Sequence, residues 1–210
     1  VKLPKAKQRK IEPFSAWELD RLGKALSPSA NHKDAGILLS ANGGLRLGEV
    51  CALRVSDIDF QNGTVNIVRE VQRIKLGEKT QLVIQTPKSE SSVRTVPLPA
   101  DALEYLQKAV AGLSQDAYIL TGRTDKPMEP RTYQYYFESI LRRCGIRKRS
   151  YHTLRHTYAT RCIEKGVDIK SLSEMLGHAD ITTTLRLYVH PSMDSKRQAV
   201  QKISFLGGAA

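Results

Sequence analysis

The stretch Tyr151–His190, YHTLRHTYATRCIEKGVDIKSLSEMLGHADITTTLRLYVH, holds four of the chain's five histidines. Its apolar residues recur at helical spacing: Leu154, Tyr158, Cys162 and Ile163 line one face, which predicts a helix over Thr153–Lys165 that stops at Gly166. Two shorter helices follow, Ile169–Leu176 ending at Gly177 and Ile181–Leu187 with Asp180 placed to cap it. His152 and Arg155 stand at i, i+3 and share a face of the first helix, so this polar pair projects from a packed support.

Outward from this stretch, the same two periods organise the rest. Ser15-x-x-Glu18 has capping-box form and precedes Leu19, Leu22 and Leu26 at helical spacing. A second helix over Asp34–Asn42 stops at Gly43-Gly44, and a third begins near Leu45 and carries Arg46, Glu49, Val50 and Leu53, with Arg46 and Glu49 one turn apart. After Ser56 the period becomes two: Ile58 and Phe60, a turn at Asn62-Gly63, then Val65, Ile67 and Val71, which reads as a β-hairpin. Strands over Leu82–Thr86 and Val93–Leu98 flank PKSESS and place Lys88 at a hairpin tip. Helical patterns return over Ala102–Val110 and Thr132–Cys144. Helices, a small antiparallel sheet and helices again make one α+β domain.

Composition narrows the partner. Among 210 residues, Lys+Arg 33 against Asp+Glu 21 gives a net charge of +12 and a pI near 9.7, which points to nucleic acid or another polyanion. The run RRCGIRKR places Arg142, Arg143, Arg147, Lys148 and Arg149 directly before His152 and reads as a contact to a DNA backbone. The opening VKLPKAKQRK, all basic in its charges, reads as a solvated linker or a strap along phosphates, and a start at Val1 in such a segment suits a piece of a longer protein. The sequence has neither a long apolar run nor a signal-peptide core, which argues against membrane insertion and export and for the cytoplasm. Cys51, Cys144 and Cys162 are odd in number and far apart, as reduced, idle thiols would be.

Three chemistries compete for the histidine-rich stretch. His152 and His156 have the i, i+4 spacing of helical zinc ligands, but Thr153 stands where a zincin carries its glutamate, and neither a CxxC nor a third acidic ligand is near. A metal site and a metal-dependent nuclease are therefore disfavoured. A helix-turn-helix over Thr153–Leu176 fits a basic chain, but Lys170, Ser171 and Glu174 are an indifferent set for reading bases. Breaking a phosphodiester without metal needs arginine forks for two non-bridging oxygens, groups that move protons, and a nucleophilic hydroxyl. Arg46, Lys88, His152, Arg155, His178 and Tyr188 supply that inventory.

Taken together these residues resemble the signature of the tyrosine recombinases, the integrases of phages and conjugative transposons. GLRLGEVCAL resembles the family's first block, with Arg46 as first catalytic arginine and Glu49 as its acidic support. Lys88 in TPKSESSVRTVPLP resembles the β-hairpin lysine, His152-Thr153-Leu154-Arg155-His156 the H-x-L-R-H block, and Leu176-Gly177-His178 the L-G-H block. Tyr188, ten residues after His178, stands where the nucleophile falls.

The resemblance implies a mainly helical catalytic fold with a small antiparallel three-stranded sheet. It divides the chain into a basic interdomain linker over 1–14, a catalytic domain over 15–192, and a C-terminal tail over 193–210 that docks on a neighbouring protomer. It further implies double-stranded DNA as substrate, a 3′-phosphotyrosyl intermediate at Tyr188, strand exchange through a Holliday junction, and no cofactor. A homotetramer on DNA at the nucleoid and an upstream core-binding domain absent from this chain complete the expectation. Type IB topoisomerase-like relaxation and a non-catalytic helix-turn-helix module are the alternatives.

Overall fold

Ser15 and Glu18 open the fold with a reciprocal cap: the Ser15 N–H donates to the Glu18 carboxylate at 2.8 Å and the Glu18 N–H to the Ser15 hydroxyl at 3.2 Å. The structure, a computed structural model, describes residues 11–26, 31–77, 79–87 and 89–188, with Met193, Arg197, Val200 and Gln201 beyond them. Helix α1 (Ala16–Leu26) is followed by α2 (Ala35–Gly43) and α3 (Leu47–Ala52). Then come β1 (Ile58–Asp59), β2 (Thr64–Ile67), β3 (Glu70–Leu76), β4 (Lys79–Gln85) and β5 (Arg94–Pro97). Helices α4 (Ala100–Ala109), α5 (Pro130–Arg143), α6 (His152–Glu164), α7 (Ile169–Leu176) and α8 (Ile181–Tyr188) complete the described fold. It is the expected α+β class, mainly helical with a three-stranded antiparallel sheet of order β1-β2-β5.

The sheet differs from the sequence reading in one respect. β3 and β4 pair only with each other, in register from Glu70 opposite Gln85 to Leu76 opposite Lys79, while β5 pairs with β2. The strands on either side of PKSESS therefore belong to different sheets, and that segment crosses between sheets instead of closing a hairpin. Lys88 itself lies outside the described residues. The physical reason is β3: EVQRIKL presents its apolar residues too sparsely to advertise a strand, and its partner is chosen by pairing with β4 after a turn at Gly77 (φ 64°).

The core gathers α1 to α5 and the sheet around Ile37, Leu39, Leu45, Ile67, Leu106 and Phe137, all fully buried, each contributing roughly 1.5–3 kcal/mol. Tyr151 fixes where α6 begins. Its ring packs edge-on to Phe137 at 5.2 Å between centroids, and its hydroxyl donates to the Gly36 carbonyl at 2.6 Å and meets the Ser40 hydroxyl at 2.8 Å. The residue before His152 is thus nailed to α2. A smaller cluster of Ala159, Leu172 and Leu176, flanked by Tyr158, Cys162, Ile163 and Met175, packs α7 on α6. The three cysteines are free thiols.

Phe14 also belongs to the core, and its N–H donates to the Thr157 hydroxyl at 2.9 Å. Of the segments expected as linker and tail, residues 1–10 and most of 193–210 lie outside the described residues.

Candidate active site

The C-terminus of α7 organises the site. Helix-end carbonyls have no intrahelical partner and carry partial negative charge, so they attract cations. Here three successive carbonyls each take a different arginine. Met175 O accepts from Arg94 Nε at 2.7 Å, Leu176 O from Arg155 Nη2 at 2.6 Å, and Gly177 O from Arg46 Nη2 at 3.0 Å. Gly177 (φ 63°) ends the helix in the left-handed region, and a Cβ there would sit 2.9 Å from Arg94 Nη1, so only glycine fits on both counts.

Glu49 anchors two of these cations. It is 1% exposed and receives Arg94 through two bonds of 2.9 Å and Arg46 Nη1 at 2.6 Å. The Arg46 N–H also donates to it at 2.7 Å, closing the first turn of α3. Burial raises its carboxyl's proton affinity, but hydrogen bonding and charge from Arg94, then Arg46, prevail and bring it down to about 2. Arg94 is a site residue that the sequence reading missed. The signal available was an arginine in the alternating strand RTVP, and nothing local said that its carboxylate partner lay on α3.

Arg155 is 2% exposed and gives Nη1 to the Gly44 carbonyl at 2.7 Å, the left-handed end of α2. Its Nη2 lies 2.9 Å from His178 Nε2. Guanidinium only donates, so His178 Nε2 is the acceptor and Nδ1 carries the proton, which it donates to Thr184 Oγ1 at 2.8 Å. His178 is pushed down to about 4, first by burial and then by Arg155, Arg46, Arg94 and His152. His152, at the start of α6, is lowered by partial desolvation among its neighbours and then by Arg155, His156 and Arg46. Both imidazoles are therefore neutral proton acceptors at neutral pH. Three guanidiniums against one carboxylate leave a local excess of positive charge, a setting that stabilises an incoming anion.

Arg46, Glu49, His152, Arg155 and His178 are thus brought together. α8 ends at Tyr188, whose side chain, like all of Lys88, lies outside the described residues. Tyr158 packs in the α6–α7 cluster, its hydroxyl 3.3 Å from Met175 Sδ. The basic run divides. Arg142 and Arg143 are exposed, Arg147 pairs with Glu12, and Lys148 pairs with Glu138 at 2.8 Å while staying 76% exposed. Arg149 departs from the expected DNA contact: it is 9% exposed, bonds both Glu18 oxygens at 3.0 and 3.1 Å, and covers the Phe14 ring. It clamps α1 to the start of α6 and faces inward. Among the described residues, no cluster of three His, Cys, Asp or Glu side chains forms a metal site.

Residues 14–195 match the phage integrase family. The chain belongs to that family. Among its integrase relatives, the tyrosine recombinase XerC-like protein of Caldanaerobacter subterraneus subsp. tengcongensis is 31% identical, over 95% of this chain and 55% of its own length. The transposase of transposon Tn916 from Enterococcus faecalis is 27% identical over 84% of this chain and 46% of its own. This integrase-family chain thus spans about half the length of such relatives. Its fold matches that of the Tn1549 transposon integrase solved in complex with a circular intermediate DNA, with a TM-score of 0.76 at 23% identity over 96% of this chain and 68% of the other. No described helix is long and apolar enough to cross a membrane.

Proposed function

We propose that this chain is the catalytic unit of a site-specific DNA recombinase that cleaves and rejoins strands through a 3′-phosphotyrosyl link at Tyr188. The observation that carries the reading is the convergence of Arg46, Arg155 and His178 on the end of α7, with His152 within electrostatic reach of all three and α8 running from that point to Tyr188. The recombinase and transposase names of its relatives favour strand exchange over relaxation alone.

In this mechanism the scissile phosphate docks beside Arg46 and Arg155, whose planar forks match its non-bridging oxygens. One phosphate oxygen replaces His178 Nε2 as the acceptor for Arg155, and the added negative charge restores part of the histidine's proton affinity, so that Nε2 takes up a proton from solvent and donates it in a hydrogen bond to the phosphate. Tyr188 oxygen forms a bond to phosphorus as the bond to the 5′-oxygen breaks. The phenolic proton goes to neutral His152, and Lys88 protonates the departing 5′-oxygen. Because the phosphotyrosine keeps the bond energy, attack by a 5′-hydroxyl of a second duplex reverses the step without ATP or metal. Glu49 and Arg94 hold the arginine seat in place.

Double-stranded DNA is the partner in this reading, held partly by the exposed Arg142, Arg143, Arg147 and Lys148. Work at the nucleoid, a homotetramer coupled by the 193–210 tail, and an upstream core-binding domain joined through the 1–14 linker are parts of the same proposal. A pool of nicked duplexes, randomised around the nick so that the cleaved end diffuses away, tests it in EDTA. A covalent adduct on a denaturing gel with the wild type, lost in Tyr188→Phe, is expected. An adduct that persists in Tyr188→Phe, or cleavage that needs a divalent metal, overturns the mechanism.

A further inference from the structure

We infer that Thr184 is a positioning residue that, by accepting the Nδ1 proton of His178, fixes the orientation of the ring and ties it to the helix carrying Tyr188. Thr184 is wholly buried, although Ile181, Thr182, Thr183 and Leu185 around it on α8 are exposed. Its hydroxyl is the sole polar group of its side chain, and it faces His178 Nδ1 at 2.8 Å. The partner ring is held on its other side by Arg155 Nη2, which can only donate. The imidazole is therefore gripped at both nitrogens, with Nδ1 as donor to α8 and Nε2 as acceptor toward the arginine seat.

Free imidazole prefers no such arrangement, so the chosen tautomer has to be imposed by its neighbours. The groups facing this ring are Arg155 and His152 from α6, Arg46 from the start of α3, Arg94 from β5, and Thr184 from α8. All but Thr184 and neutral His152 are cationic and disfavour a proton on the ring. Arg155 makes Nε2 the acceptor and so leaves the proton on Nδ1, where Thr184 alone among these groups accepts it and holds the ring in place when the contact to Arg155 is exchanged for a phosphate. Position 188 lies one helical turn beyond 184 on the same face. The bond thus also fixes the rotation of α8 relative to His178, and with it the direction from which Tyr188 approaches. This role rests on the recombinase reading above for its effect on cleavage, but the bond itself does not.

The test uses the whole chain labelled with 15N-histidine, with His178 assigned by loss of its signals in His178→Gln. In the wild type, Nδ1 should give a protonated and Nε2 an unprotonated nitrogen resonance. Thr184→Val, which keeps the side chain's shape, should leave Nδ1 protonated by virtue of Arg155 but speed exchange of that proton as the ring loses its acceptor on α8. It should also slow single-turnover adduct formation about ten- to a hundredfold on the nicked duplex pool, and Thr184→Ser should restore both. A wild-type ring protonated at Nε2 overturns the inference. So does a Thr184→Val chain with unchanged Nδ1 proton exchange and cleavage rate, or a Thr184→Ser chain as slow as Thr184→Val. If the wild type forms no adduct while Nδ1 proton exchange still follows residue 184, the bond stands and the recombinase reading falls.

Discussion

Replacing Glu49 by Gln removes one negative charge from a site 1% exposed while keeping the side chain's shape. The carboxyl titrates near 2 instead of 4.5, and at 1.36 kcal/mol per pH unit that preference corresponds to about 3 kcal/mol. Stranding Arg94, 5% exposed, without its carboxylate gives a similar figure, about 3–5 kcal/mol for breaking a buried pair. The two routes agree, so Glu49→Gln should lower stability by about 3 kcal/mol at pH 7, or about 6–12 °C in Tm for a chain of this size. Because the folded carboxyl is depressed, its contribution is full above about pH 4.5 and is lost as the pH falls toward 2. Urea unfolding followed by circular dichroism, repeated from pH 7 to pH 3, measures both. The gap between wild type and Glu49→Gln should shrink by more than half by pH 3, on its way to closing near pH 2. The double variant Glu49→Gln/Arg94→Met should lose less than the sum of the singles, since the cation left without Glu49, Arg46, is one-third exposed and the buried one is gone. A Glu49→Gln chain within about 0.5 kcal/mol of wild type, or a difference that does not shrink with pH, would refute the reasoning.

Arg149→Ala should destabilise the chain by about 3 kcal/mol and leave the salt dependence of duplex binding unchanged. Arg142→Ala and Arg143→Ala should instead each reduce the log–log salt slope by about 1 with little change in stability, read by fluorescence anisotropy and thermal melting. Gly177→Ala meets both a left-handed backbone and Arg94 at 2.9 Å, whereas Gly166→Ala meets only the backbone penalty, so Gly177→Ala should melt lower. His178 is neutral in the folded chain down to about pH 4 but takes a proton near 6.5 when unfolded. Its contribution is present above 6.5 and lost as the pH falls toward 4, so a flatter pH–stability profile is expected of His178→Gln across that window.

Local patterns carried the helices because their signals are local: Ser15 with Glu18, and glycines at 44, 166 and 177 where the chain turns left-handed. The grouping of Arg46, His152, Arg155 and His178 was readable for the same reason, as each sits in a short motif. What the sequence could not carry were choices of distant partner. β3 is defined by β4, Arg94 by Glu49 across forty-five residues of chain, and Arg149 by Glu18 across 131. A cation in a basic run looks solvated until a carboxylate from another helix closes over it, and in RRCGIRKR that happens only at Arg149 among its arginines. Thr184 was hidden likewise, one of three threonines in ITTTLRLY, distinguished only by which face α8 turns inward.

The most direct measurement is the chemistry of the covalent link. The trapped protein–DNA adduct, digested with protease and nuclease, should yield on mass spectrometry a peptide containing Tyr188 with a nucleotide joined through its 3′-phosphate, and the released strand should bear a free 5′-hydroxyl. Attachment at another residue, such as Tyr158, or through a 5′-phosphate would contradict the account.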